Sequence, residues 1–212
     1  MIKRLVAAGL VLAAGPAAAQ GAPELSYGLA VTSNYIFRGS TQSNDNPALQ
    51  GYVEGAYGIV YAGVWASTVD IDDDSVEFDL YAGVRPSFGD FELDVGYVRY
   101  LYDDTGDCCG ELALGVGYPM ADLGELGAKV WYDPVADTTW TEAAVSVGIV
   151  AEFEAGGTIG TDFGTLELGE DDKVAWDLGL SRGLGEFANV DLRYYDSNYD
   201  PGRLVLSIGA DF

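Results

Sequence analysis

Histidine is absent from this chain of 212 residues. A serine or cysteine nucleophile relayed through imidazole is therefore excluded. Positive charge is scarce as well: 10 Lys and Arg stand against 34 Asp and Glu, a formal net charge of −24. That balance excludes nucleic acid as a partner, because binding a phosphate backbone requires basic patches. Cysteine is limited to the adjacent pair Cys108 and Cys109. The two cannot staple distant segments. They form either a vicinal disulfide or two loop thiols, and without further soft ligands they do not make a metal centre. Beyond the first 19 residues there is no long apolar run, since glycines and charges interrupt each hydrophobic stretch. A spanning helix needs about 20 apolar residues. A membrane protein without one must be a closed barrel.

Met1–Ala19 reads as a secretory signal. Lys3 and Arg4 begin it, Leu5–Ala14 is its apolar run, and Pro16 with Ala17–Ala19 supplies the break and the small residues of a cleavage site. Losing Lys3 and Arg4 takes the formal charge from −24 to −26. The remainder, 20–212, shows no internal boundary and reads as one domain. Because 49% of residues are hydrophobic, the chain is not a disordered acidic tail. Its 29 glycines and 14 tyrosines suit a sheet with tight turns and interfacial rings.

The repeated unit is an alternating segment of about ten residues followed by a turn. The spacing predicts twelve strands, at 24–39, 47–57, 59–68, 75–86, 90–102, 110–119, 125–132, 138–153, 157–168, 173–183, 186–196 and 203–212. In the fourth, Val76, Phe78, Leu80, Ala82 and Val84 alternate with Glu77, Asp79, Tyr81, Gly83 and Arg85. The fifth sets Phe91, Leu93, Val95 and Tyr97 against Glu92, Asp94 and Gly96, and the tenth sets Val174, Trp176, Leu178 and Leu180 against Ala175, Asp177, Gly179 and Ser181. The last carries Leu204, Leu206, Ile208, Ala210 and the terminal Phe212 on one side. A period of two sends each set to one face of the sheet. Alternation alone also fits a soluble barrel with its apolar face inside. The signal, Phe212 and the aromatic strand ends favour an all-β, antiparallel transmembrane barrel. Tyr35, Phe37, Trp65, Tyr97, Tyr118, Tyr132 and Tyr194 are the expected lipid-facing girdle.

Alternate connections collect the acid. Those at 40–46, 69–74, 103–109, 133–137, 169–172 and 197–202 hold most loop aspartates, and the intervening turns are short and rich in glycine and proline. The first set is expected outside the cell. These loops look too short for any of them to fold into the lumen as a constriction. Asp70–Ser75 offers hard oxygen ligands but lacks the glycine and distal glutamate of an EF-hand.

Inward positions carry Glu54, Glu77, Asp79, Glu92, Asp94, Glu111, Glu142, Glu152, Asp177, Asp191 and Asp211, with Arg38, Arg85, Lys129, Arg193 and Arg203. Paired carboxylates such as Glu77 with Asp79 could in principle serve glycosidase or aspartic-protease chemistry. A hydrated acidic wall is the simpler account. Rings of carboxylates favour cations in a pore, whereas facing acids and bases could equally pair and plug it. At twelve strands the lumen lies between filled and open barrels.

Thr32–Ser43 (TSNYIFRGSTQS), Asn46–Gly51, Tyr61–Ser67, Glu77–Gly83 and Gly89–Tyr97 resemble the TorF-family porins, most densely over residues 30–100. The resemblance implies an outer-membrane barrel with channel activity. On that pattern Tyr35 and Phe37 face lipid, Asn34 and Arg38 point inward, Gly39 permits a turn, and Pro47 opens the next strand. Arg38 is the expected solute-touching residue. The alternative is that it pairs with Glu54 or Glu77 to brace the wall. The whole reads as a passive, cation-preferring diffusion channel for small hydrophilic solutes, needing no cofactor and surrounded by outer-membrane lipid. The rivals are a closed structural or partner-binding barrel and a carboxylate enzyme.

Overall fold

The computed structural model describes residues 22–150, 153–163 and 172–212. Among them fifteen strands form: β1 (Glu24–Thr32), β2 (Ile36–Phe37), β3 (Ser40–Thr41), β4 (Ala48–Tyr57), β5 (Val60–Ile71), β6 (Asp74–Val84), β7 (Ser87–Phe88), β8 (Phe91–Tyr102), β9 (Gly106–Pro119), β10 (Gly124–Asp133), β11 (Thr138–Gly148), β12 (Phe153–Phe163), β13 (Val174–Leu184), β14 (Ala188–Ser197) and β15 (Arg203–Asp211). Twelve of them, all but β2, β3 and β7, are the staves of a closed antiparallel barrel. Each stave pairs with its neighbours along the chain. Closure comes from β1 against β15, with Gly28 opposite Asp211 and Thr32 opposite Ser207. The Tyr27 and Phe212 backbones also exchange hydrogen bonds. A closed ring leaves no unpaired edge, which the hydrocarbon core demands.

The faces sort as the alternation predicts, and the barrel is apolar outside. Leu204, Leu206, Ile208 and Phe212 are exposed on β15 and its end, while Val205 and Ser207 are buried. On β6, Phe78 and Leu80 are exposed, and Glu77, Asp79 and Tyr81 are buried. Burial of charge inside and exposure of Leu, Val and Phe outside is the reverse of a soluble barrel. It is the pattern of a protein solvated by lipid. Tyr97, Tyr118, Tyr132 and Tyr194 lie on the outer face as expected.

The strand count stands, but several boundaries move: the third stave runs on to Ile71 rather than 68, and the sixth begins at Gly106 rather than 110. The eighth stave ends at Gly148, not 153, and the ninth begins at Phe153 rather than 157. The signal segment 1–19, Glu152 and most of the fifth acidic loop lie outside the described residues.

The first stave shows the largest departure. It stops at Thr32 rather than 39: the Ser33 amide makes the last bond to the neighbouring stave, at 2.8 Å to the Leu206 carbonyl, and Thr32 Oγ1 donates to the Asn34 carbonyl at 2.8 Å as the chain turns inward. From there the chain leaves the wall and forms the small hairpin β2–β3. Its two-residue turn is Arg38-Gly39, with φ of 47° and 83°. Both central residues of a type I′ turn need positive φ. Glycine adopts this freely, and Arg38 does so at a cost of roughly 1–2 kcal/mol.

The cysteines form a vicinal disulfide on β9. The acidic connections gather at one end of the barrel, where Asp74 accepts from the Thr105 hydroxyl at 2.6 Å and Asp103 accepts the Ser75 and Val76 amides at 2.9 and 3.0 Å.

Candidate functional site

The β2–β3 hairpin lies inside the barrel, so one acidic-end loop does enter the lumen. Tyr35 and Ile36 are buried, not lipid-facing. Tyr35 meets Trp65 of β5 edge-on at 5.4 Å, and Phe37 meets Tyr100 of β8 at 6.3 Å. Trp65 thus also belongs to the inner face. The expected girdle loses Tyr35, Phe37 and Trp65 to the lumen.

Short polar residues hold the hairpin's base. The Tyr35 amide donates to Ser43 Oγ at 2.9 Å, Thr41 Oγ1 donates to Asn34 Oδ1 at 2.6 Å, and Asn34 Nδ2 donates to Asp45 at 2.7 Å. The tip reaches the opposite wall. Ser197 of β14 donates to the Gly39 carbonyl at 3.4 Å, and the Thr41 amide donates to Asp200 at 3.3 Å. A Cβ on Gly39 would sit 2.7 Å from that of Ala175 and 2.8 Å from that of Ser197. Close approach of the tip to the wall, as well as positive φ, therefore requires glycine there.

Arg38 makes a two-pronged ion pair with Glu111 of β9, at 2.7 and 2.8 Å. Its partner is neither Glu54 nor Glu77. The guanidinium also lies 5.7 and 5.4 Å from the Trp131 and Trp140 rings of β10 and β11. These two tryptophans face each other across the β10–β11 ladder. A planar cation wedged between a carboxylate and aromatic faces is held by both charge and ring quadrupole.

The other inward bases are matched in the same way. Arg85 forks onto Glu54 at 2.6 and 3.0 Å and lies over the Tyr61 ring at 3.6 Å. Lys129 stands 3.4 Å from Asp94, whose other oxygen accepts the Tyr61 hydroxyl at 2.6 Å. Arg193 bridges Asp177 and Asp191 on the β13–β14 wall. Arg203 binds Asp45 and Asp200 at the rim, where it ties β15 to the base of the hairpin. Each of the five inward bases thus has a carboxylate partner. Carboxylates remain in excess, with Glu77, Asp79, Glu142 and Asp211 making no arginine or lysine salt bridge among the described residues. Glu92 faces inward near the end opposite the acidic loops, half-buried and opposite Gly117. Of the sixteen residues expected in the lumen, Glu152 lies outside the described residues and the others lie on the inner face or, for Arg38 and Arg203, on the hairpin and rim. Tyr81 lies inward as the alternation of the fourth strand predicts, and the structure adds Tyr61, Tyr100, Trp131 and Trp140 to it as an inner aromatic set that the sequence reading did not name. Its signal was available: these rings share parity with the carboxylates.

The hairpin covers one side of the lumen more than the other. Beneath it Glu77, Asp79, Val98, Tyr100 and Glu111 are buried, whereas Glu142, Ala144, Ser146, Glu154 and Thr158 on β11 and β12 stay partly exposed. A cavity of about 90 Å³ lies beside the tip, bounded by Arg38, Trp140, Glu142, Thr158, Asp177 and Arg193 among others.

Residues 16–207 match the model of a bacterial protein family of unknown function, Gcw_chp. The chain belongs to this Gcw_chp family. No curated protein matches it in sequence. Among solved structures it is similar to the KdgM porin, with a TM-score of 0.65 and 8% identity over 88% of this chain and 98% of that one. It is also similar to the NanC porin, at 0.56 and 10% over 89% and 99%, and to the outer membrane protein Omp33 of Acinetobacter baumannii, at 0.52 and 10% over 89% and 97%. These likenesses are of fold. With the apolar exterior and polar interior, the Gcw_chp chain is a porin-like barrel of the bacterial outer membrane.

Proposed function

We propose that this Gcw_chp protein is a narrow diffusion channel for small hydrophilic solutes, with the β2–β3 hairpin as its constriction and a preference for cations. One observation carries the reading: the hairpin crosses the lumen to Glu111, Trp131 and Trp140, while Glu142, Ala144, Ser146, Glu154 and Thr158 on the inner faces of β11 and β12 stay partly exposed beside it. A plug would cover both sides. Among the candidate residues, Arg38 and Glu111 frame the narrowest point. Glu54, Arg85, Asp94 and Lys129 line the wall on the far side of the hairpin.

The cation preference rests on the unmatched carboxylates. Each inward base is neutralised by a neighbour, so the net field of the passage is that of the remaining acids and the acidic loops. The KdgM porin is known in complex with disordered oligogalacturonate, an acidic sugar chain. The present lumen has no unpaired base among its five to welcome such a ligand, so neutral and cationic solutes are the better match.

Liposome swelling tests this. Proteoliposomes carrying the refolded protein should swell quickly in a small neutral sugar or a small organic cation and slowly in a sugar acid of the same size. Equal or faster swelling in the sugar acid would remove the cation preference, and no swelling in any solute would favour the closed barrel.

A further inference from the structure

Asp79 is the least accommodated charged group among the described residues. It is 1% exposed, and neither carboxylate oxygen has a hydrogen-bond partner. Its ladder neighbours are Trp65 on β5 and Tyr100 on β8. These rings carry Tyr35 and Phe37 of the hairpin segment, so the hairpin forms the roof over Asp79. Glu77 lies two residues away on the same face, also buried. Its Oε1 accepts the Tyr102 hydroxyl at 2.9 Å, and the Tyr35 hydroxyl of the hairpin segment is turned toward the same carboxylate.

The surrounding charges offer no relief. On β6 the next acid is Asp74, already held by Thr105 and the Asp104 amide. β5 presents Trp65 and Ser67, neither of which titrates. β8 presents Tyr100 and Tyr102, β9 presents Glu111, and the hairpin segment presents Tyr35 and Arg38. Arg38, the one base in this set, spends both prongs on Glu111. An ionised carboxylate in a dry site without a partner is strongly unfavourable, and two adjacent ones more so. A hard metal cation would need six or more oxygen ligands, which aromatic walls do not provide. A proton needs none.

We propose that Glu77 and Asp79 form a proton-operated latch beneath the hairpin. With the pair protonated, the roof of Tyr35 and Phe37 stays seated over neutral groups. As pH rises, the protons pass to solvent. The two carboxylates then repel each other and draw in water, and the hairpin lifts from β5, β6 and β8. The passage widens at higher pH and narrows at lower pH. The rim does not imitate this response. Asp45, bonded to Arg203, and Asp103, holding the Val76 and Ser75 amides, are both kept below the usual carboxylate range and so remain charged throughout.

The latch rests on the proposed channel only for its electrical readout, so two readouts are taken on the refolded protein between about pH 5 and about pH 9. One is conductance in a planar bilayer. The other is tryptophan emission, which senses Trp65 losing Tyr35. The wild type should gain conductance several-fold with rising pH, together with a red shift. The Glu77→Gln/Asp79→Asn variant should hold the acid-state values of both across the range. Glu77→Gln alone serves if the double variant does not fold, and should show a weakened response. Heat-modifiable gel mobility reports an intact barrel in each sample. Emission in the wild type that is flat with pH, or a variant that follows the wild-type profile, overturns the latch. A red shift abolished by the variant, in protein that never conducts, upholds the latch and overturns the channel.

Discussion

Replacing residues 33–47 with Asn-Gly should raise the single-channel conductance several-fold. Thr32 of β1 already pairs with Ala48 of β4, so a two-residue turn can join the staves where the ladder ends. The excision removes the tip that reaches Glu111, Ala175 and Ser197 and leaves the β1–β4 ladder in place. It also removes Tyr35, Ile36 and Phe37 from the lumen and wets Glu77, Asp79 and Glu111. Carboxylates freed in this way should strengthen the cation preference along with the conductance. Planar-bilayer recording of a variant that still shows barrel mobility on gels checks both. Unchanged conductance would place the narrowest point elsewhere on the wall.

The largest loss of stability should come from Arg193→Leu, by about 3–5 kcal/mol. The guanidinium bridges Asp177 and Asp191, and all three side chains are at least nine-tenths buried. It also donates to the Gly156 carbonyl at 3.3 Å. Gly179 leaves it room, since a Cβ there would lie 2.7 Å from the guanidinium carbon. Removing the cation leaves two buried carboxylates that no other base bridges among the described residues. Most of the cost is that uncompensated charge rather than the worth of the bridge. Adding Asp177→Asn and Asp191→Asn should therefore recover a large part of the loss. Urea unfolding in micelles gives the comparison. If the triple variant is no more stable than Arg193→Leu alone, the charge argument fails.

The staves were legible because one face meets lipid and the other meets water. That contrast imposes a period of two wherever both sides are filled, as on β6, β8 and β13. It fails at the hairpin for a physical reason. Tyr35 and Phe37 keep the parity of the strand before them, so the sequence continues to look like wall after the wall has ended at Thr32. The polar residues on either side of these rings were the available sign. Ser33-Asn34, Arg38-Gly39 and Ser43–Asn46 are turn chemistry, and the structure uses them for the exit, the tip and the base. Rings placed between such clusters belong to a folded loop rather than to a girdle.

The pairing of the lumen charges was not legible at all. Arg38 and Glu111 lie 73 positions apart, and Arg85 and Glu54 lie 31 apart. Which acid a base meets depends on stave register and on where the hairpin points. Parity gives the face of each residue and nothing about its height in the barrel. The inward placement of Glu54, Glu77, Asp79, Asp94, Glu111 and Asp177 followed from alternation, but the isolation of Asp79 from any base required the fold.

Single-channel recording of the refolded wild-type protein across a salt gradient tests the central claim most directly. Discrete conductance steps with a reversal potential biased toward cations are the predicted result. Protein shown to be folded that remains silent across the pH range, or that passes anions in preference, would contradict the account of a narrow acidic passage past the hairpin.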